Sequence, residues 1–196
     1  LTRPEVEALL KTPDQATWLG RRDYTLLLVG VQTGLRVSEL IGLRPEQIIL
    51  GTGPHIQCRG KGRKERCVPL TRQTVAVLKA WDTELNGGPS EPVFRSRRGG
   101  ALSRDAVERL VDKYAASAAN TCPSLNGKRV SPHVLRHTAA MRLLESGVDC
   151  AVIALWLGHE SIETTGIYLH ADVTLKEKAL ARVAPLSQAT TRRYQP

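Results

Sequence analysis

The segment 131–170 constrains the fold of this chain most, because signals for the starts and ends of helices follow one another closely along it. Ser131 followed by a proline is typical of a helix start, and Gly147 is typical of the position just past a helix end. Asp149 is a capping residue for a second helix, which Gly158 would end. The segment therefore predicts short helices joined by tight turns.

Four polar side chains of this segment are expected to converge. His133 and Arg136 share one face near the start of the first helix, and His159 lies in the turn after the second helix. Ser161 can cap a third helix, which carries Tyr168. Short turns force successive helices close together, so these side chains can meet. Taken singly, His159 is more often a capping or packing residue and Tyr168 a half-buried core residue.

The chain is strongly basic. Its 196 residues carry a formal net charge of +9 with a pI near 9.8, and 41% of them are hydrophobic. This length suits one domain of ordinary size or two small ones with a buried core. Nucleic acid is the commonest partner of a basic domain, and a basic surface without such a partner is the alternative.

No apolar run approaches the roughly 20 residues needed to cross a bilayer, and the opening LTRP has neither a starting methionine nor a signal-peptide pattern. We therefore expect a cytoplasmic fragment of a longer protein with no membrane contact. The cysteines, Cys58, Cys67, Cys122 and Cys150, form no CxxC pair and no metal-ligand spacing, which predicts reduced thiols. Cys58 and Cys67 could face each other across a hairpin, which alone would not make a disulfide.

Helix signals dominate the rest of the chain. Helices are predicted from a capping box at Thr2, over 24–31 to an end near Gly34, over 71–85 and over 103–119, with a linker at 14–20. Short strands are predicted over 48–50, 55–59 and 65–69. The predicted fold class is α+β and mainly α, a helical domain with a small three-stranded antiparallel sheet.

A glycine turn in TGLRVSEL, residues 33–40, delivers Arg36 to the start of a helix. Glu39 lies three residues later on the same face, where its carboxylate could hold the guanidinium in place. A solvated helix salt bridge is the alternative interpretation of this pair.

Two basic turns are candidates for contact with a DNA backbone. Between the second and third strands, Lys61 stands between two glycines, where the backbone can approach a ligand closely. The DNA-binding candidates are Arg59, Arg63, Lys64 and Arg66 at this hairpin, and Arg97 and Arg98 in a later Gly-rich loop. Each turn either contacts phosphate or is merely a solvated basic tip.

Residues of the types needed to break a phosphodiester without metal recur along the chain: Arg36, Lys61, His133, Arg136, His159 and Tyr168. A tyrosine oxygen can attack phosphorus and form a phosphotyrosine, while arginine forks suit the charge that grows on the phosphoryl oxygens. A lysine can protonate the leaving oxygen, and a histidine can take the tyrosine proton. His133 and His137 could form a metal pair, but HExxH is absent, so we expect neither metal nor cofactor.

These motifs resemble the catalytic domain of the tyrosine recombinase, or phage integrase, family. TGLRVSEL is similar to its first arginine box, GKGRKERCVPL to its lysine hairpin, and HVLRH with LGHESIETTGIY to its second box, over about residues 2–183. The resemblance implies that Arg36 and Arg136 clamp the phosphate and that Tyr168 is the nucleophile. It implies Lys61 as the general acid, with Lys64 as a rival, and His133 as the acid/base. The remaining implied roles are Glu39 as the acidic residue after the first arginine, His137 as a packing residue and His159 as a hydrogen-bond donor to the phosphoryl group.

The resemblance implies site-specific recombination, integration or excision, of double-stranded DNA through a 3′-phosphotyrosyl intermediate. It implies a catalytic domain over 1–184, a disordered tail over 185–196 and a core-binding domain outside this chain. Because that second domain would make half of the phosphate contacts, the catalytic domain alone should bind DNA weakly. We expect a tetramer on DNA and a monomer for the isolated domain. The helix predicted over 174–183 is expected to pack either on its own chain or on a neighbouring protomer. The alternatives are a type IB topoisomerase and a catalytically inactive helix-turn-helix regulator.

Overall fold

Helices make up most of the computed structural model, which describes residues 1–59, 65–85 and 91–158. The helices are α1 Arg3–Lys11, α2 Trp18–Thr33, α3 Val37–Ile41, α4 Arg72–Asp82, α5 Arg104–Ala119, α6 Pro132–Glu145 and α7 Cys150–Leu157. The strands β1 Ile48–Ile49, β2 His55–Arg59 and β3 Glu65–Pro69 form one antiparallel sheet in the order β1-β2-β3. The predicted fold class, mainly helical with a small three-stranded antiparallel sheet, is confirmed.

Helix starts follow the capping residues that the sequence indicates. The Ser103 hydroxyl accepts the amide of Ala106 at 3.1 Å, and Asp149 Oδ1 accepts the amide of Ala151 at 2.7 Å. Ser131 caps α6 in the same way. These side chains accept hydrogen bonds from amides that have no partner within the helix, which explains why the local sequence is enough to place the starts.

Helix α2 begins earlier than predicted, so the linker expected over 14–20 is too long. Thr17 caps the helix, and Trp18 packs on Trp81 with ring centroids 5.3 Å apart. Gly20, which reads as a linker residue, is helical and buried, and a Cβ there would lie 1.8 Å from the carbonyl oxygen of Asp14. Close approach of the linker backbone therefore explains this glycine, since a larger residue would clash.

The register of the sheet separates the two cysteines of the hairpin. Cys58 pairs with Arg66, whereas Cys67 pairs with Gln57. The sequence allowed the two cysteines to face each other across the hairpin, and the register shows that they do not. Cys58 is buried and Cys67 is exposed, as expected for opposite faces of a strand pair. All four cysteines are free thiols, and burial raises the pKa of Cys58 to about 11.

The core is built around α2, whose residues Leu26, Leu27 and Val29 are fully buried. A smaller cluster of Ala140, Ile153 and Leu157 joins α6 to α7. The indole of Trp156 donates to the carbonyl of Thr33 at 3.0 Å, which ties the end of α7 to the end of α2. These contacts bring the C-terminal end of α7 beside the TGLR turn.

Within the described residues, none of the helices combines the length and apolar character needed to cross a membrane. The helices expected after Ser161 and over 174–183, and the tail at 185–196, lie outside the described residues.

Candidate active site at the end of α7

Three consecutive main-chain carbonyls at the C-terminal end of α7 accept hydrogen bonds from three different arginines. The pairs are Arg66 Nε to Trp156 O at 3.0 Å, Arg136 Nη2 to Leu157 O at 2.8 Å and Arg36 Nη2 to Gly158 O at 2.6 Å. We call Arg36, Arg66 and Arg136 the arginine cluster. Its members come from β3, α6 and the start of α3, so one helix end gathers residues that are far apart in sequence.

The end of α7 suits cations for two physical reasons. The last carbonyls of a helix have no partner within the helix, and the helix dipole makes this end partly negative. Gly158 ends α7 in the left-handed conformation, with φ of 65°. A Cβ on Gly158 would lie 2.9 Å from Arg66 Nη1, so the glycine also gives the arginine room.

Arg136 is the most deeply placed guanidinium of the cluster, with 8% of the residue exposed. Besides Leu157 O, it donates from Nη1 to the carbonyl of Gly34 at 2.6 Å. Gly34 has φ of 66°, and a Cβ there would come within 2.7 Å of Leu157 Cδ2. The glycine of TGLR is therefore required both by its backbone conformation and by the close approach of α7.

Arg36 is the more accessible of the two arginines predicted to bind phosphate, with 38% of its side chain exposed. Its main-chain amide donates to Glu39 Oε2 at 2.8 Å, and Nη1 lies 3.3 Å from Glu39 Oε1. Glu39 thus holds both the backbone and the guanidinium of Arg36, as the spacing of the pair predicts.

Arg66 points inward, although the sequence placed it among the DNA-backbone contacts. Its Nη1 and Nη2 each donate to one oxygen of Glu39 at 2.8 Å, and both side chains are 11% exposed. Burial would raise the pKa of Glu39, but hydrogen bonds from Arg66 and from the Arg36 amide lower it overall. The sequence does hold a signal for this inward orientation, since Arg66 lies two residues before the buried Val68 and shares its face of β3.

The two histidines of α6 lie near the start of the helix, one turn apart. His133 is exposed and precedes Arg136 by three residues on the same helix. Burial, followed by neighbouring positive charge, lowers the pKa of His137. Across residues 1–59, 65–85 and 91–158, no group of three His, Cys, Asp or Glu side chains is placed to hold a metal ion.

Several predicted site residues lie outside the described residues: Lys61, Arg63, Lys64, His159 and Tyr168. Arg59 is the last residue of β2, and its side chain is not described. Of the six predicted catalytic residues, the structure therefore describes Arg36, His133 and Arg136, and it brings the two arginines together at one helix end.

The second basic turn, residues 95–101, is exposed at Arg97 and Arg98. It closes through a hydrogen bond from the Ser96 amide to Gly100 O at 2.7 Å. Arg22 Nη1 donates to the carbonyl of Arg95 at 2.7 Å, which anchors the turn to α2.

A buried polar group that the sequence analysis missed supports this anchor. Arg22 Nε donates to Asp23 Oδ1 at 2.8 Å, and the Tyr114 hydroxyl donates to Asp23 Oδ2 at 2.9 Å. Burial, with the carboxylate of Asp23, raises the pKa of Tyr114, so this phenol stays protonated and acts as a donor.

The cluster can bind an anion because its internal contacts orient the guanidiniums without neutralising most of their charge. Main-chain carbonyls carry no formal charge, and two of them accept hydrogen bonds from Arg136. Arginine forks held in this way present planar sets of donors that match the oxygens of a phosphate.

Comparison with known proteins identifies the family of this chain. A model of the phage integrase family matches residues 1–174. The chain is 54% identical to the protein y4rC of Sinorhizobium fredii, named an integrase/recombinase, over 98% of this chain and 58% of that protein. It is 41% identical to the tyrosine recombinase XerD of Pseudomonas aeruginosa, over 87% of this chain and 56% of XerD. The chain thus spans slightly more than half the length of these curated relatives.

Solved structures share the fold. The XerA recombinase superposes with a TM-score of 0.77 at 28% identity, over 94% of this chain and 63% of that one. XerH bound to a palindromic difH substrate, in a post-cleavage complex, gives the same TM-score of 0.77 at 28% identity, over 93% of this chain and 52% of that one.

Proposed function

This chain belongs to the phage integrase family, and from that premise we propose that it is the catalytic part of a tyrosine recombinase. The proposed reaction is site-specific recombination, in which DNA strands are cut and rejoined through a 3′-phosphotyrosyl intermediate. The proposed catalytic domain covers 1–184, with the tail at 185–196 outside it.

One observation carries the proposal: Arg36 and Arg136 donate to the successive carbonyls of Gly158 and Leu157. Because the two carbonyls belong to adjacent residues, both guanidiniums lie at one helix end, and we propose that a single phosphate contacts both. Negative charge grows on the phosphoryl oxygens as phosphorus is attacked, and fixed donors that are already in place stabilise that charge without reorganisation.

The remaining steps are assigned to residues in keeping with their chemistry. The Tyr168 oxygen attacks phosphorus, a bond from phosphorus to the tyrosine forms, and the bond to the 5′ oxygen breaks. Lys61 gives a proton to that leaving oxygen, and His133 takes the proton of the tyrosine. His159 donates a hydrogen bond to a phosphoryl oxygen. Rejoining reverses the sequence, since the phosphotyrosine keeps a reactive phosphodiester bond.

The proposed partner is double-stranded DNA, and assembly as a tetramer on DNA is part of the proposal. The exposed Arg97 and Arg98 supply positive charge for the backbone. XerH, whose structure is similar to that of this chain, was solved in complex with its difH substrate, and this supports the proposal that this chain binds DNA. A cytoplasmic location, associated with the nucleoid, follows from that partner.

The test is a covalent capture on nicked duplexes that carry a randomised stretch, because the target sequence is unknown. The wild-type chain should form a protein–DNA adduct that survives SDS, and Tyr168→Phe should form none while binding DNA nearly as well. Tyr24→Phe, which alters a half-buried tyrosine of α2, is the matched control and should keep the adduct.

An adduct that persists in Tyr168→Phe would assign the nucleophile to another residue. DNA binding without an adduct in the wild type would instead favour a regulator that has lost catalysis.

A further inference from the structure

We propose that Arg66 is a positioning residue, which holds Glu39, and through it Arg36, against the end of α7. What the pocket does chemically rests on the proposed function, whereas the positioning is argued from contacts alone. Arg66 is one of the arginines for which the sequence suggested a direct role on DNA.

The first step of the argument is the way in which Glu39 is shared. Its Oε1 accepts from Arg66 Nη1 at 2.8 Å and lies 3.3 Å from Arg36 Nη1. Its Oε2 accepts from Arg66 Nη2 at 2.8 Å and from the Arg36 amide at 2.8 Å. The paired hydrogen bonds from Arg66 fix the plane of the carboxylate, and that plane sets where Arg36 can sit.

The second step is the contrast in exposure between the two arginines. The Arg66 side chain is 11% exposed, and each of its three nitrogens already donates to a protein oxygen. The Arg36 side chain is 38% exposed. Arg66 therefore serves as the inner support, and Arg36 is the member of the pair that a phosphate can reach.

The third step is the position of Arg66 in the chain. It lies on β3, the strand that follows residues 60–64 with the proposed general acid Lys61. Its Nε donates to Trp156 O at 3.0 Å, just before the segment that carries His159 and Tyr168. One guanidinium thus connects the lysine hairpin, the first arginine and the helix end that precedes the nucleophile.

The experiment uses Arg66→Gln in the full chain, with Arg21→Gln as the matched control. Arg21 makes the same kind of paired contact with Glu84, at 2.7 and 3.0 Å, at the other end of α2 from the TGLR turn. If Arg66→Gln does not fold, Arg66→Lys replaces it, because lysine keeps the charge and loses the fork.

The first measurement is hydrogen exchange at the Arg36 amide, which is independent of any catalysis. Arg66→Gln should speed exchange about tenfold, as expected when a hydrogen bond of ordinary strength is weakened, and Arg21→Gln should leave it unchanged. Unchanged exchange at Arg36 in the Arg66 variant would overturn the proposal.

The second measurement is the rate of adduct formation at saturating DNA. Arg66→Gln and Glu39→Gln should each slow it by about ten- to hundredfold, and the double variant should be no slower than the worse single variant. Losses that multiply would mean that Arg66 does not act through Glu39. If the wild type forms no adduct, the proposed function fails, and exchange at Arg36 still decides the positioning.

Discussion

Two regions of the molecule bury charge, and they treat it differently. In the arginine cluster, uncharged carbonyls orient all three guanidiniums, and the carboxylate of Glu39 also accepts from Arg36 and Arg66. Around Glu5, which is fully buried, the carboxylate meets the Lys128 ammonium at 2.6 Å, the Ser124 hydroxyl at 2.7 Å and the Thr2 amide at 2.9 Å. The first region has more positive than negative charge, as the proposed binding of a phosphate requires, whereas the charges of the second region hold α1 to the chain before α6.

The difference teaches how a functional charged site can be told from a structural one. A carboxylate that meets a cation and further donors has its hydrogen-bonding capacity satisfied within the fold, so removing its charge alone leaves its partners unpaired and destabilises the protein. Two of the three guanidiniums of the arginine cluster share the carboxylate of Glu39, so the cluster is oriented, keeps an excess of positive charge and remains able to bind an anion. Substitutions in the two regions should accordingly change different measurements.

The largest effect is expected for Arg136→Lys, which keeps the charge of the cluster and removes its geometry. A lysine cannot reach Gly34 O and Leu157 O together with a planar fork. Adduct formation should fall by about 100-fold or more, the usual cost of losing one fixed donor for a developing negative charge. Single-turnover cleavage of nicked DNA measures it, and a rate near that of the wild type would show that charge alone is sufficient.

A smaller effect, on stability, is expected for Glu5→Gln. Burial alone would raise the pKa of Glu5, but hydrogen bonds from Lys128, Ser124 and Thr2 lower it to about 2. A carboxyl with a lowered pKa stabilises the fold above its unfolded value and loses that contribution as the pH falls through the folded value. At pH 7 the variant should be less stable by about 2 kcal/mol, which is below the roughly 3 kcal/mol of the full pKa change because solvent screens the half-exposed Lys128. The difference should close between about pH 4.5 and 2.

Urea unfolding at a series of pH values measures this difference, with Glu7→Gln as the control. Glu7 pairs with Arg3 at 2.9 Å on an exposed face of α1, where an ion pair contributes little. A pH-independent loss in Glu5→Gln would mean that the carboxylate is not stabilised as its contacts indicate.

The smallest effect is expected for the double variant of Arg97→Gln and Arg98→Gln, in which exposed guanidiniums are removed. DNA affinity should fall about tenfold, and the dependence of log affinity on log salt should become shallower by up to about 2. The rate of cleavage at saturating DNA should not change, because the turn supplies charge rather than fixed donors. A loss of that rate would place the basic turn inside the catalytic pocket.

Much of the fold could be predicted because its signals are local. The caps at Ser103, Ser131 and Asp149 act on amides two or three residues away, so the sequence contains both partners. The strand bounds of β2 and β3 were predicted for a similar reason, since turn residues flank them. The early start of α2 was missed because Gly20 suggested a linker, whereas the close approach of the Asp14 backbone, which leaves no room for a Cβ, explains this glycine within the helix.

The residue types of the candidate site could be predicted from the sequence, whereas the role of each arginine could be predicted less well. Arg36 with Glu39 is a local pair, and it was found from spacing. Arg66 was grouped with the basic hairpin because its partner Glu39 lies 27 residues away, on another element. The alternation along β3, which places Arg66 on the same face as the buried Val68, was the local signal that this grouping overlooked. The roles of Lys61, His159 and Tyr168 stay predictions.

The hydrogen bonds at the end of α7 restrict the number of residues that this helix can contain. Each residue advances an α-helix by about 100°, so one inserted residue would rotate the terminal carbonyls away from all three arginines at once. Because Trp156, Leu157 and Gly158 are consecutive, no single side-chain change could restore the lost contacts. Point substitutions along the outer face of α7, such as at the exposed Leu155, should therefore be tolerated far better than any insertion or deletion within it.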